Sequence, residues 1–247
     1  MIILSKIKFL EKPLIAHRGY FNNKNIPENS ISAFKKSIRY GYSIELDVHL
    51  TKDEKIVVFH DFNLKRMCNV NKKIEDCTYE ELLKYNLLDT NYKIPLLSEV
   101  LELIDGKVAL LIEIKEEKRR NLDLLLSNML DNYNGKFAVQ SFNPFSIYWF
   151  KKHRKNYIRG ILSGNFKRNK KMNNFKKILL RNLVLDAMLK VDFISYDIRA
   201  LPNKKIEKKR KNKTIIGWTV NNKKEYDYSK KYCDNLICEN MNDYINR

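Results

Sequence analysis

The chain reads as an α/β protein built as one TIM-type (β/α)₈ barrel, and three observations carry that expectation. Its 247 residues match the roughly 250 that a single barrel of this kind needs. Short runs rich in β-branched and aromatic residues alternate with helical patterns along the whole length, which calls for a parallel sheet with crossover helices. No low-complexity linker, internal repeat or composition break divides the sequence, so residues 1–247 are expected to form a single domain.

The expected strands are residues 14–18, 44–48, 56–60, 109–115, 137–141, 159–162, 193–196, 215–220 and 235–238. That is one more than the eight a barrel holds. The excess resolves at residues 49–55, which are too few for a crossover helix because parallel neighbours need about a dozen residues between them. The second and third strands should therefore pair as a hairpin. With a two-residue turn at Asp53 and Glu54, facing residues have numbers summing to 107 and Asp47 lies opposite His60. A slip of one residue would undo that pairing.

Helix signals fill the gaps. Ile31, Phe34 and Ile38 recur at helical spacing behind Asn29 and Ser30 as cap candidates and ahead of Gly41 as terminator. Thr78 with Glu81 three residues on makes a capping box before Leu82 and Leu83. Asn143 followed by Pro144 is another helix start, and residues 122–130 present an apolar helical face. Residues 61–97 are the expected decoration on the barrel.

A formal charge of +19 attracts anionic partners, whether phosphodiesters, anionic lipid surfaces or nucleic acid. Much of the excess falls in residues 166–177 and 203–213, where lysines accompany asparagines and few aromatics. A nucleic-acid groove would interleave aromatics with the basic residues. Solvated helix faces and loops are expected instead, with no nucleic-acid partner and at most weak contact with an anionic membrane surface. The four cysteines, Cys68, Cys77, Cys233 and Cys238, form no CxxC pair and flank no histidine cluster, which argues against a zinc site or a disulfide framework. No apolar run approaches the roughly 20 residues of a membrane span. Residues 1–10 are too short and too interrupted by lysine for a signal peptide. A soluble, cytoplasmic protein is expected.

The chemistry concentrates on a few strands. Across residues 44–50 apolar and polar side chains alternate strictly, so Glu45, Asp47 and His49 share one face. Helices cover the outside of a barrel strand, so the apolar face points out and the carboxylates point in. The same pattern sets Glu113 and Lys115 opposite Leu110, Ile112 and Ile114. Buried carboxylates cost several kcal/mol each unless partners or a metal compensate them. Three convergent carboxylates suit a hard, oxygen-preferring cation, Mg²⁺ or Ca²⁺. Arg18 and Lys115, each closing a strand, can offset the remaining negative charge and hold an anionic substrate. Spacing leaves a second reading open, in which the carboxylates only form ion pairs with these bases. His17 and His60 each end an apolar run. Imidazoles titrate near neutrality, so one can accept a proton while the other donates one. His49 and His153 lack such a context and are expected to be surface or structural.

Taken in order, His17-Arg18-Gly19, Pro27-Glu28-Asn29-Ser30, Glu45-Leu46-Asp47-Val48, Thr51-Lys52-Asp53, His60-Asp61 and Glu113-Ile114-Lys115 resemble the signature of the glycerophosphodiester phosphodiesterase family. Gln140-Ser141-Phe142 and Trp218-Thr219-Val220-Asn221 extend the likeness over nearly the whole chain. The resemblance implies a metal-dependent barrel enzyme that hydrolyses glycerophosphodiesters to glycerol 3-phosphate and an alcohol. His17 and His60 would be its acid/base pair, and Glu45, Asp47 and Glu113 its metal ligands. Arg18 and Lys115 would bind phosphate, Glu28 would orient Arg18, and Trp218 would wall the glycerol pocket. In related enzymes the glycerol 2-hydroxyl is thought to attack its own phosphate, giving a cyclic phosphate that water opens. Two departures stand out: Asp53-Glu54 replaces the common Asp-Gly turn, and residues 234–240 match the family's last strand only loosely. Phosphatidylinositol-specific phospholipases C and sphingomyelinases D share the two-histidine barrel logic, which leaves a membrane-lipid substrate as the rival expectation. A non-catalytic, anion-binding barrel is the remaining alternative.

Overall fold

The computed structural model describes residues 7–11, 13–115, 121–165 and 185–241. Backbone contacts gather the chain into two compact units, one running from Ala16 to Phe137 and the other from Ala138 onward together with the N-terminal segment to Ile15.

The first unit follows strand β1 (Ile15–Ala16, its first residue in the other unit) with α1 (Ile31–Tyr40), β2 (Ser43–Leu50), β3 (Ile56–Val58), α2 (Lys65–Cys68), α3 (Tyr79–Leu82), α4 (Leu97–Ile104), β4 (Leu110–Ile114) and α5 (Asn121–Leu130). Helix α1 starts where Ser30 accepts the amide of Ala33, and it ends at Gly41, whose φ of 68° is a left-handed cap. Asn29 is not the cap; its side chain turns to the strands instead. Thr78 and Glu81 close the expected capping box on α3.

Strand β2 is buried along all eight residues. It runs parallel to β4 with Asp47 beside Glu113 and Glu45 beside Leu111, so the polar faces of the two strands coincide. Strand β3 returns antiparallel to β2, as expected, but in a register one residue away from the expected one. Val48 faces Val58, His49 faces Val57 and Leu50 faces Ile56. The turn is three residues long, with Glu54 left-handed at φ 59° and the amide of Thr51 bonded to the carbonyl of Lys55. A type I turn followed by a left-handed residue is the standard three-residue hairpin, and Glu54 occupies its glycine position. Asp47 consequently lies across from Phe59, whose amide it accepts at 3.0 Å, and not across from His60.

Residues 61–97 do decorate the sheet, around a small core of their own. Leu64, Met67, Ile74, Cys77, Leu82, Leu87 and Ile94 pack against Val57 and Phe59 of the third-strand segment. Each such side chain gains roughly 1.5–3 kcal/mol on burial, so α2 and α3 are anchored despite their single-turn lengths. The decoration closes where Leu96 bridges back to Val57.

The second unit contains β5 (Phe137–Ser141, its first residue in the other unit), α6 (Pro144–His153), β6 (Arg159–Ser163), α7 (Asp186–Leu189), β7 (Phe193–Asp197), α8 (Lys204–Arg210), β8 (Thr214–Val220), α9 (Lys223–Ser229) and β9 (Asn235–Cys238). Strands β5 to β9 pair in parallel, each with the next. Asn143 caps α6 and Pro144 opens it. Of the two basic stretches, residues 203–213 form α8 and its flanks, with Ile206 buried and Lys204, Lys205 and Lys208 exposed. Lys209 and Arg210 are pinned to Asp186 and Asp234 at 2.7 and 2.8 Å. The other stretch, residues 166–177, lies outside the described residues.

The nine strands join one sheet in the order β1-β9-β8-β7-β6-β5-β4-β2-β3, and β1 also pairs with β2. That last pairing closes eight strands on themselves and leaves β3 outside the ring: the expected TIM-type barrel plus one hairpin strand. No described helix is long and apolar enough to cross a membrane.

Candidate active site

All of the predicted site residues except Trp218 belong to the first unit, and its contacts bring them together. His17 and Arg18 follow β1 in a tight turn, where Arg18 is left-handed at φ 51° and Gly19 at φ 78°. A side chain on Gly19 would meet Ala33 and Phe34 of α1 at 2.9 Å, which is why glycine stands there. The turn lays the Arg18 amide on Glu45 Oε2 at 3.1 Å and puts His17 Nε2 4.0 Å from the same oxygen.

Glu45, Asp47 and Glu113 are all buried, and one carboxylate oxygen from each lies within 4.8 Å of the others. Lys115 sets its Nζ 2.6 Å from both Asp47 Oδ1 and Glu113 Oε1. Asn29 donates to Asp47 Oδ2 at 2.9 Å, and Arg18 Nε approaches that oxygen to 3.6 Å. Burial opposes the charge on Asp47, yet the positive charges of Lys115, His60 and Arg18 hold its carboxyl well below the usual range. Glu45 goes the other way: burial, then the charges of Asp47 and Glu113, push it well up. Burial opposes the charge on Lys115 too, but Asp47 and Glu113 keep its proton on more firmly than usual.

Asp61 bonds His60 Nδ1 at 2.6 Å. Arg18 Nη1 donates to Glu28 Oε1 at 2.7 Å. Arg66, a residue without a place in the sequence-level site, touches both of these carboxylates. Its Nη2 and Nη1 reach Glu28 Oε1 and Oε2 at 2.6 and 2.8 Å, and its Nε and Nη2 reach Asp61 Oδ2 and Oδ1 at 2.7 and 3.1 Å. Arg66 sits on α2 of the decoration, five residues beyond Asp61. His49 is the structural one of the two remaining histidines: it is buried, with Nε2 3.3 Å from the carbonyl of His60 and its ring edge-on to Phe62. His153 is exposed, stacked on Trp149. Trp218 lies in the second unit, on β8, edge-on to Phe142 with centroids 5.6 Å apart.

The donor chemistry fits a divalent cation. Glu28, Glu45, Asp47, Asp61 and Glu113 bring five carboxylates against three permanent cations, Arg18, Arg66 and Lys115. Two negative charges are left over when all are ionised, and the upward push on Glu45 is what an uncompensated carboxylate cluster does without such an ion. All three converging donors are oxygens, which favours Mg²⁺ or Ca²⁺ over softer metals.

Glu28 makes the acid side of this network measurable. Burial opposes its charge, but hydrogen bonds from Arg66 and the charges of Arg18 and Arg66 outweigh burial and hold the carboxyl down at about 2, against 4.5 when free. A depressed folded pKa contributes stability above the unfolded value that is lost as pH falls toward the folded one, here from pH 4.5 to about 2. The group should contribute roughly 3 kcal/mol to the wild type above that window. Urea unfolding from pH 5 to pH 2 should show the stability of Glu28→Gln falling less than that of wild type by about that amount; parallel slopes would contradict the network.

The fold and this cluster define a TIM-type barrel with buried oxygen donors, two imidazoles and arginine at the ends of its first strands, a class suited to phosphate-ester chemistry. Residues 17–240 match the glycerophosphoryl diester phosphodiesterase family, and the chain belongs to that family. A glycerophosphodiester phosphodiesterase of Caldanaerobacter subterraneus is 37% identical over 166 residues, 60% of this chain and 65% of that one, so the match spans slightly under two thirds of that relative. YhdW of Bacillus subtilis, provisionally named as the same enzyme, is 31% identical over 222 residues, covering 85% of this chain and 87% of its own. Among solved structures, a phosphodiesterase from Oleispira antarctica in complex with the product sn-glycerol-3-phosphate superposes with a TM-score of 0.75 at 19% identity over 92% of each chain.

Proposed function

We propose that this protein hydrolyses glycerophosphodiesters to glycerol 3-phosphate and an alcohol, with His17 and His60 as its acid/base pair. The observation that carries the reading is the contact of Glu45 with both His17 and the Arg18 amide, which sets an imidazole and a phosphate-binding guanidinium at the edge of the carboxylate cluster. Glycerol 3-phosphate in the Oleispira antarctica relative is that protein's product and supports the same substrate class here.

Glu45, Asp47 and Glu113 would hold Mg²⁺ or Ca²⁺, which when bound supplies charge for the phosphate and acidity for a hydroxyl. Arg18 and Lys115 bind the phosphate oxygens, and Glu28 fixes the Arg18 guanidinium. One histidine removes the proton of the attacking hydroxyl while the other protonates the leaving oxygen. The attacking hydroxyl is the substrate's own glycerol 2-hydroxyl, an intramolecular nucleophile whose effective molarity can reach about 10⁵ M or more; its attack releases the alcohol and leaves a cyclic phosphate, which water then opens to glycerol 3-phosphate. A 2-deoxy diester is therefore a poor substrate. Trp218 keeps the role the family resemblance implies, a wall for glycerol. The protein works as a cytoplasmic enzyme on soluble diesters.

The test is release of glycerol 3-phosphate from glycerophosphocholine and glycerophosphoethanolamine in Mg²⁺, Ca²⁺ or EDTA. Turnover should require the metal and the 2-hydroxyl. Silence on every soluble diester from folded protein, with cleavage of intact lipid in vesicles, would move the assignment to a lipid phosphodiesterase.

A further inference from the structure

We infer that Arg66 is a positioning residue that holds His60 and Arg18 in a fixed relation by clamping the carboxylate behind each of them. The inference rests on the roles of His60 and Arg18 proposed above. It adds a residue from the decoration, outside the strands that carry the chemistry.

The geometry singles out arginine. One guanidinium makes two forks: Nη1 and Nη2 span both oxygens of Glu28 at 2.8 and 2.6 Å, and Nε and Nη2 span both oxygens of Asp61 at 2.7 and 3.1 Å. Glu28 passes the constraint to Arg18 Nη1 at 2.7 Å, and Asp61 passes it to His60 Nδ1 at 2.6 Å. Glu28 has further support: Asn23 donates to its Oε2 at 3.0 Å and accepts its amide at 2.9 Å. Arg66 is the group common to both chains of contact. It therefore ties the loop after β1 to the loop after β3, two segments with no strand pairing between them in the register β2 sets.

Lysine cannot replace it, because an ammonium carries three donors on one nitrogen and cannot span both oxygens of two carboxylates, four acceptors in all. The decoration keeps its own hydrophobic core, so loss of Arg66 should leave the fold standing. What it should change is placement, and a misplacement of about 1 Å can cost on the order of 10²-fold in rate. With Arg66 gone, Asp61 is free to leave His60, and Glu28 is left to Arg18 and Asn23.

The experiment compares the full chain with Arg66→Ala and Arg66→Lys, following kcat and KM on glycerophosphocholine and the imidazole proton on His60 Nδ1 by ¹⁵N–¹H NMR, assigned through His60→Gln. Both variants should lose kcat by about 10- to 100-fold with KM changed far less. The Nδ1 proton signal of His60 should be present in wild type and lost to exchange in both variants. Millimolar guanidinium should restore signal and kcat saturably in Arg66→Ala, while methylammonium restores neither. A retained His60 signal in Arg66→Ala, or a kcat within about threefold of wild type, would overturn the clamp. Equal restoration by methylammonium would also overturn it, since charge alone would then suffice. If wild type turns over no glycerophosphodiester, the functional reading fails by itself, and the His60 signal still decides the clamp.

Discussion

Lys115→Met should lose about 3–5 kcal/mol of stability in metal-free solution and recover much of it when Mg²⁺ or Ca²⁺ is added. The Lys115 ammonium touches Asp47 and Glu113 at 2.6 Å each, in surroundings where all three residues are at most 8% exposed. Truncating one partner of a buried ion pair leaves the others uncompensated, and that penalty exceeds what the intact pair contributes. The variant can relieve it by protonating carboxylates or by taking up a cation. A cation that binds only the folded state raises stability in proportion to the logarithm of its concentration over its dissociation constant. Wild type should gain less from the same ion, because its ammonium already offsets part of the charge. Thermal unfolding of both proteins in EDTA and across a series of each ion reads this directly, and the ion with the larger shift names the preferred metal. No response from either protein would mean that the cluster is an ion-pair network and not a metal site, and equal shifts in both would mean that Lys115 does not offset the charge the ion neutralises.

The strand alternation at residues 44–50 and 110–115 was enough to place Glu45, Asp47 and Glu113 on one face, because the period of two in a strand leaves no freedom once the opposite face is apolar. Their neighbours in β2 and β4 pair as the parallel sheet demands. Hairpin register was different. It depends on turn length, and Glu54 adopts the left-handed conformation that a sequence reader assigns to glycine. That register takes His60 away from the place opposite Asp47 and puts Phe59 there. His49 shares the polar face of Asp47 and is buried, yet its ring meets a backbone carbonyl and Phe62. Alternation gives the face and not the partner.

Arg66 was illegible for another reason. Nothing in local pattern distinguishes Lys65 from Arg66, and both begin a one-turn helix. Only the packing of Leu64 and Met67 into the decoration's core turns Arg66 toward Glu28, 38 residues away in sequence. Long-range ion pairs of this kind follow from the fold, so a sequence reading can list the carboxylates but not the cation that joins them.

The two histidines should carry the largest kinetic effect. His17→Ala and His60→Ala are each expected to lower kcat on glycerophosphocholine by about 10²–10⁴-fold, and the double variant should fall little below the worse single one, because groups acting as a unit are not additive. Their roles separate on the leaving group. Choline departs as an alkoxide and needs a proton at the moment of bond cleavage, whereas a nitrophenolate leaves without one. On a glycerol phosphodiester of 4-nitrophenol, the variant lacking the general acid should therefore recover most of its rate, and the variant lacking the base should stay slow. Asp61 at 2.6 Å from His60 Nδ1 and Glu45 at 4.0 Å from His17 Nε2 give the two imidazoles different surroundings, so a difference between the variants is expected. Recovery in one of them assigns acid and base together. Equal slowness on both substrates would place both histidines in binding or structure, and equal recovery would mean that neither activates the nucleophile, leaving that task to the carboxylate cluster and its cation.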